Sequence, residues 1–193
     1  MIDFSSHLAS AELLAYVKEH SLPLVLATTG QTDEEKAMIR EAAKAIPLFF
    51  SANMSLGVAL LVSLVKKAAE LLKEDDIEIV ETHHNRKADA PSGTALMIAN
   101  AISDTLGGRQ IVSGRSGLSK REKGEIGISS IRVGNVVGKH EVIFGNDTET
   151  ITITHEAHDR ALFASGAVRA AAFLVHKAPG LYTMQDLVEA YEA

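Results

Sequence analysis

The sequence predicts an α/β protein in two parts: a portion of a doubly wound parallel sheet, and an α+β segment built on a mixed or antiparallel sheet. Two patterns point to it. Up to Phe50, short apolar runs alternate with amphipathic helical stretches, as in βαβ units whose sheet is covered on both faces. Between Glu125 and Thr154, strand-like runs follow one another with turn residues and no helical period between them. A helical run from Ser55 to Glu74 joins the parts, and the expected division is residues 1–54 with 168–193 against residues 55–167.

Ile2-Asp3-Phe4 reads as the end of a buried strand. Ala11 to His20 places Leu13, Leu14 and Val17 on one helical face, and Leu22 to Ala27 is a short apolar strand. Thr32-Asp33-Glu34-Glu35 is a capping box, in which the hydroxyl and the glutamate each satisfy an amide at the start of a helix running to about Ala45. Ile46 to Phe50 is the next strand. Ligands of open parallel sheets bind beyond the carboxyl ends of the strands, so Ala27-Thr28-Thr29-Gly30 and Ser51-Ala52-Asn53-Met54 are expected to line one edge of a crevice. Their small side chains let a flat ring approach the backbone. Taken alone, Thr28 and Thr29 read equally well as turn residues, and Asn53 as a helix cap. Leu56, Leu60, Leu61, Leu64, Ala68, Leu71 and Leu72 then mark the connecting helix.

The chemistry concentrates after the alternating strand Ile77-Glu78-Ile79-Val80, in Glu81-Thr82-His83-His84-Asn85-Arg86-Lys87-Ala88-Asp89-Ala90-Pro91-Ser92-Gly93-Thr94-Ala95. Leu96, Ala99, Ile102 and Leu106 continue at helical spacing, so this is a strand-to-helix loop. Asp89 is the expected N-cap and Pro91 suits the first turn, leaving the amides of Ser92, Gly93 and Thr94 for an anion at the positive end of the helix. Lys87 adds a cation, and His83 and His84 exchange protons near neutral pH. The stretch therefore reads as an anion pocket beside a proton donor. A metal site is not expected, because His83, His84 and Asp89 lack a ligand spacing and Lys87 would repel a cation.

Gly107-Gly108 ends the helix, and the segment to about Gly124 reads as a mobile loop, locally basic through Arg109, Arg115, Lys120, Arg121 and Lys123. Ile126 to Val133, Val136 to Phe144 and Thr148 to Thr154 read as antiparallel neighbours with a reversal at Asn146-Asp147. Their exposed faces hold Ile and Val as well as charge, which points to cover by a partner subunit. Ala167, Ala170, Ala171, Leu174 and Val175 form one face of a further helix, Pro179-Gly180 breaks it, and Thr183 caps a short terminal helix. His140, His155 and His158 read as structural.

Composition excludes several functions. The 193 residues hold 19 basic and 25 acidic side chains, for a formal charge of −6, so nothing global favours nucleic acid or an anionic membrane. No run is apolar enough to span a bilayer. There is no cysteine, hence no disulfide or thiolate chemistry, and no signal peptide precedes the polar Asp3-Phe4-Ser5-Ser6, so a cytoplasmic address is expected.

Several separated motifs together resemble one family, the bacterial dihydrodipicolinate reductases. They are Thr28-Thr29-Gly30, Ser51-Ala52-Asn53-Met54-Ser55, the Glu81 to Ala95 stretch, Gly134-Asn135-Val136-Val137-Gly138-Lys139-His140, and Ile153-Thr154-His155 with Arg160, Phe163-Ala164 and Gly166-Ala167. The resemblance implies a Rossmann-like dinucleotide-binding domain, a substrate domain and a homotetramer. It implies reduction of 4-hydroxy-tetrahydrodipicolinate, a small cyclic dicarboxylate, by NADH or NADPH in lysine and diaminopimelate biosynthesis. By motif position, His83 is then the acid/base residue and Lys87 the second proton donor, while His84, Ser92, Gly93 and Thr94 hold substrate. Ala27, Thr28, Thr29, Ser51, Ala52, Asn53 and Met54 become the contacts to the cofactor.

Two departures accompany the resemblance. The family usually has Gly where this chain has Ala27, which adds a methyl group beside the expected ring and tightens or shifts that contact. Family members also begin with a strand, a Gly-rich turn and a helix that hold the pyrophosphate. No such run is present here, so the expectation is a shortened chain keeping part of the cofactor domain. A second reading follows from it: a self-assembling, non-catalytic domain that takes a pyridine dicarboxylate but not the dinucleotide.

Overall fold

A computed structural model of the chain describes residues 1–192. The chain runs β1 (Ile2–Asp3), α1 (Ser10–Glu19), β2 (Leu24–Leu26), α2 (Asp33–Ala42) and β3 (Pro47–Phe50), then α3 (Leu56–Leu71). It continues through β4 (Asp76–His83), α4 (Gly93–Thr105), β5 (Ile111–Ser113), β6 (Ile126–Arg132), β7 (Gly138–Gly145) and β8 (Thr150–Ala157). It closes with α5 (Ala161–Leu174), β9 (Gly180–Tyr182) and α6 (Met184–Glu192). There are two compact units, Met1–Ala59 with the segment from Ala161 onward, and Leu60–Arg160. No helix of the described residues is long and apolar enough to cross a membrane.

The first unit is a parallel sheet in the order β1-β2-β3-β9. Side chains alternate across a strand, and here both faces are apolar and covered. Leu24, Leu26 and Leu48 pack with Leu14 and Val17 of α1 and Ile39 of α2, while Val25 and Phe49 pack with Ala167, Ala170 and Leu174 of α5 and Leu187 and Val188 of α6. The expected doubly wound pattern is therefore present. Thr32 and Glu35 form the expected capping box of α2, and Thr183 with Asp186 opens α6 in the same reciprocal way.

Three expectations change in this unit. β1 is an edge strand rather than a buried one, with Ile2 42% exposed. α2 ends at Ala42, short of Ala45. Beyond the expected break at Pro179-Gly180 lies a strand the pattern does not announce, β9, since pairing with β3 recruits a run of only three residues.

The second unit holds a five-stranded sheet in the order β5-β6-β4-β7-β8. β6 runs parallel to β4, and β7 antiparallel to it. Contrary to the expectation from sequence, the strands at 126–133 and 136–144 are thus not neighbours; β4 lies between them. β4 takes the centre because Ile77 and Ile79 are fully buried on its inner face and both its edges are paired. β7 and β8 do form the expected hairpin, closed by Asn146, whose Oδ1 accepts from the amides of Thr148 and Glu149.

The inner face is covered by Ala95, Ile98, Ala99 and Ile102 of α4 and by Leu61, Val65 and Ala69 of α3. The buried stripe of α4 is turned from the expected one: Leu96 is exposed, as are Leu60, Leu64 and Leu71 on α3 and Val175 beyond α5. The basic segment after Gly108 is also not a free cationic surface. It contains β5, Arg121 pairs with Asp76, Glu78 and Glu125, Arg115 pairs with Glu125, and Lys123 pairs with Glu74.

Gly166 on α5 lies against the exit loop of β3, where a Cβ would overlap the carbonyl oxygen of Met54. Rigid backbone on both sides puts Gly166→Ala at the upper end of the about 1–3 kcal/mol that overpacking costs. Alanine's helix preference returns about 1 kcal/mol. The expected net loss is roughly 2 kcal/mol in a urea melt, with the Ser51–Met54 loop displaced; an unchanged midpoint would show that the loop is not pinned there.

Candidate active site

β4 organises the cluster through its period of two. Ile77, Ile79, Glu81 and His83 share one face, so the strand passes from two core isoleucines to a carboxylate and an imidazole without leaving the interior. Register supplies the rest. On β6, Arg132 lies opposite His83 and Ser130 opposite Glu81; on β7, His140 lies opposite Glu81. Gly138 completes the β7 side, and a Cβ there would come within 3.1 Å of His83 Nε2.

Glu81 is fully buried and fully used. Arg132 donates to it through both ends of its guanidinium, Nη1 to Oε2 at 2.9 Å and Nη2 to Oε1 at 2.7 Å. His83 Nδ1 lies 2.6 Å from Oε2, and the Ser92 amide donates to Oε1 at 3.2 Å. Burial alone pushes the Glu81 carboxyl up, but hydrogen bonds from Arg132, Ser130 and His83 outweigh it and hold the group down at about 2. A bidentate guanidinium–carboxylate pair suits this position because it satisfies several lone pairs at once. Arg132 Nη2 also donates to the Asp89 carbonyl at 2.7 Å, tying the loop to the sheet.

The helix start differs from expectation. Ser92, not Asp89, is the N-cap of α4: its backbone is extended and its Oγ accepts from the Ala95 amide at 3.1 Å. Pro91 precedes the cap, after a cis Ala90–Pro91 bond. Asp89 instead receives Lys87, with Nζ 2.8 Å from Oδ1, and that hydrogen bond holds its carboxyl below the usual range. The Ser92 amide is already committed to Glu81 and so is not offered to an anion. Gly93 is exposed, with no protein atom within 4 Å of where a Cβ would stand.

His140, read as structural, belongs to the cluster. Its ring meets that of His83 edge to face at 5.2 Å, and its Nε2 lies 3.1 Å from Ser92 Oγ. His84 is half-buried; desolvation, followed by the charges of Arg86, His83, Lys87 and Arg160, holds its imidazole below the ordinary value.

In the first unit, β2 and β3 are adjacent, with Leu26 opposite Phe50, so the two predicted loops leave the same sheet edge side by side. Thr28 is buried and donates to Asp3 Oδ2 at 2.5 Å, while its carbonyl accepts from Gln31; Thr29 and Gly30 are exposed. Ser51 Oγ donates to the Asn53 carbonyl at 2.9 Å, and Asn53 Oδ1 accepts from the Ser55 amide at 2.8 Å. Ser55 Oγ then accepts from Val58 at the start of α3. The two loops lie in the first unit with Ala27 and Met54, and the histidine cluster with Lys87, Gly93 and Thr94 in the second.

Buried His140 also sets a pH limit. Desolvation and then the neighbouring His83 lower it from 6.5 to about 4, so between these values the unfolded chain takes up a proton that the folded chain refuses. Stability is complete above pH 6.5 and declines as pH falls through that window, by about 3 kcal/mol in all. Urea midpoints measured across the window should fall for the parent and fall less steeply for His140→Gln, the lowered His84 and His155 keeping part of the slope; equal slopes would remove His140 as a cause.

Comparison with known proteins places the chain. Residues 57–188 match the profile "Dihydrodipicolinate reductase, C-terminus" and residues 1–54 match "Dihydrodipicolinate reductase, N-terminus". The chain is 52% identical over 191 residues to the 4-hydroxy-tetrahydrodipicolinate reductase of Caldanaerobacter subterraneus subsp. tengcongensis, covering 98% of this chain and 76% of that protein. It is 50% identical over 190 residues to the enzyme of the same name from Alkaliphilus metalliredigens, covering 97% and 79%. Dipicolinate-bound dihydrodipicolinate reductase from Paenisporosarcina sp. TG-14 has the same fold, with a TM-score of 0.79 at 23% identity over 96% of this chain and 72% of that one. The chain belongs to the dihydrodipicolinate reductase family.

Proposed function

We propose that this protein reduces 4-hydroxy-tetrahydrodipicolinate to tetrahydrodipicolinate with NADH or NADPH, in the cytoplasm, as a step of lysine and diaminopimelate biosynthesis. The observation that supports this most is an imidazole held by a buried carboxylate at the end of β4, His83, followed by the ammonium of Lys87 in the loop beyond it, in a chain half identical to these enzymes. The net reaction adds a hydride and a proton and releases water, so the site has to deliver a proton and hold two carboxylates.

Each role follows from local chemistry. His83 supplies the proton, Lys87 steadies the charge that develops and acts as a second donor, and His84 contacts the substrate. The Gly93 and Thr94 end of α4 takes a carboxylate, favoured by the helix dipole and by the open space over Gly93. Ser92 supports that end from within rather than by its amide.

The residues present fit a nicotinamide ring. Ala27, Thr28 and Thr29 leave β2 beside Ser51, Ala52, Asn53 and Met54 leaving β3, which is the ligand-binding edge of a parallel sheet. When bound, the dinucleotide supplies the hydride. Thr28 and Asn53 are occupied in shaping their own loops, so Thr29 and Ala52, both exposed, are the side chains left to meet the ring. Ala27, where relatives usually carry Gly, is 8% exposed and adds its methyl group to that wall. The face of the second sheet turned away from α3 and α4 carries Val80, Ile131, Ile143 and Thr152, and a further copy of the chain covers it in a homotetramer.

In the protein, His83→Gln and Lys87→Met should each lower turnover by about 10²–10⁴-fold, the range for loss of a positioned proton donor, with little change in melting temperature. Unchanged turnover in both would end the assignment. Calorimetric titration with NADH, NADPH and 2,6-pyridinedicarboxylate checks the ligands directly. Dicarboxylate binding with no dinucleotide binding would instead establish a binding domain.

A further inference from the structure

The Glu81–Arg132 pair is more than a fold-stabilising contact, because of where its free edge points. Replacing a buried ion pair by apolar groups is often neutral or stabilising, so stability alone gives little reason to place one beneath an imidazole. Here Arg132 takes both carboxylate oxygens, and the remaining lone pair on Oε2 faces His83 Nδ1 at 2.6 Å. A carboxylate fixed in this way accepts hydrogen bonds and does not donate them, so Nδ1 must carry the proton.

We infer that Glu81 is the positioning residue for His83: braced by Arg132, it holds the Nδ1 proton of the ring and leaves Nε2, on the Gly138 side, as the atom that passes a proton to substrate. This rests on His83 being the proton donor. The N–H bond at Nε2 breaks, the proton forms its new bond on the substrate, and the ring that remains is the Nδ1–H tautomer that Glu81 already favours; solvent restores the proton. Gly138 fits the same arrangement, since a Cβ would stand 3.1 Å from Nε2 and crowd the atom that has to react. The charged and titratable groups next to His83 are Glu81 on its own strand, Arg132 opposite it on β6, His140 on β7, and His84, the next residue in the chain; Lys87 and Asp89 pair with each other in the loop that follows.

The test is Glu81→Gln, with Glu81→Gln/Arg132→Met as a second variant that removes both buried charges and leaves no unpaired guanidinium. The His83 ring is followed by 15N NMR titration in the whole protein, beside kcat and KM profiles against pH. Expected are the Nδ1–H tautomer in the parent, and in both variants mixed tautomers and a loss in kcat with KM changed less than twofold. A parent ring protonated at Nε2 alone, or a tautomer unmoved in whichever variant folds, overturns the inference. Failure of the proton-donor role itself would appear separately, as full turnover in His83→Gln while the tautomer of the intact His83 ring still responds to loss of Glu81.

Discussion

A carboxylate with no exposure to water sits at the centre of the second unit, and it is tolerable only because Arg132 reaches it with both arms of its guanidinium. An unpaired charge there would cost several kcal/mol, so strand register, loop path and helix position all answer to this pair. β6 must lie beside β4 in the register that sets Arg132 opposite His83. The loop must pass where the Asp89 carbonyl meets the same guanidinium, and α4 must begin where the Ser92 amide meets Glu81.

The consequence is an imidazole whose orientation is set from below. Ile77 and Ile79 anchor β4 in the core, and the same alternation delivers Glu81 and His83 to the same face. The rigid strand, rather than the loop that follows, aims the imidazole. Lys87 and His84 lie beyond the end of the strand, where the chain is more exposed and an anionic ligand has room to approach.

The first unit uses a different device. Its parallel strands are buried on both faces, so β2 and β3 end together and their exit loops emerge side by side. Each loop is shaped by its own polar contacts, Thr28 with Asp3 and Ser51 with Asn53, and the second is pressed by α5 at Gly166. Small residues there are a condition of the loop geometry as well as of any ring packed against it.

Local pattern was enough for the alternation of β4, the capping boxes at Thr32 and Thr183, the hairpin at Asn146 and the run of chemistry from His83 to Thr94, because each is written in spacings of two to four residues. Glu81 was legible in the same way, two residues before His83 on a strand, although nothing nearby in the chain shows what neutralises it. Arg132 and His140 were not legible, since they enter through pairing across 51 and 48 residues of chain, to Glu81 and Ser92. The same limit hid the insertion of β4 between β6 and β7, and the strands β5 and β9, whose three residues each gain strand character from a partner. The helix cap moved from Asp89 to Ser92 for a related reason: Asp89 meets Lys87, Ser92 meets Glu81 and His140, and these long-range bonds outweigh the local preference of an aspartate for a helix start.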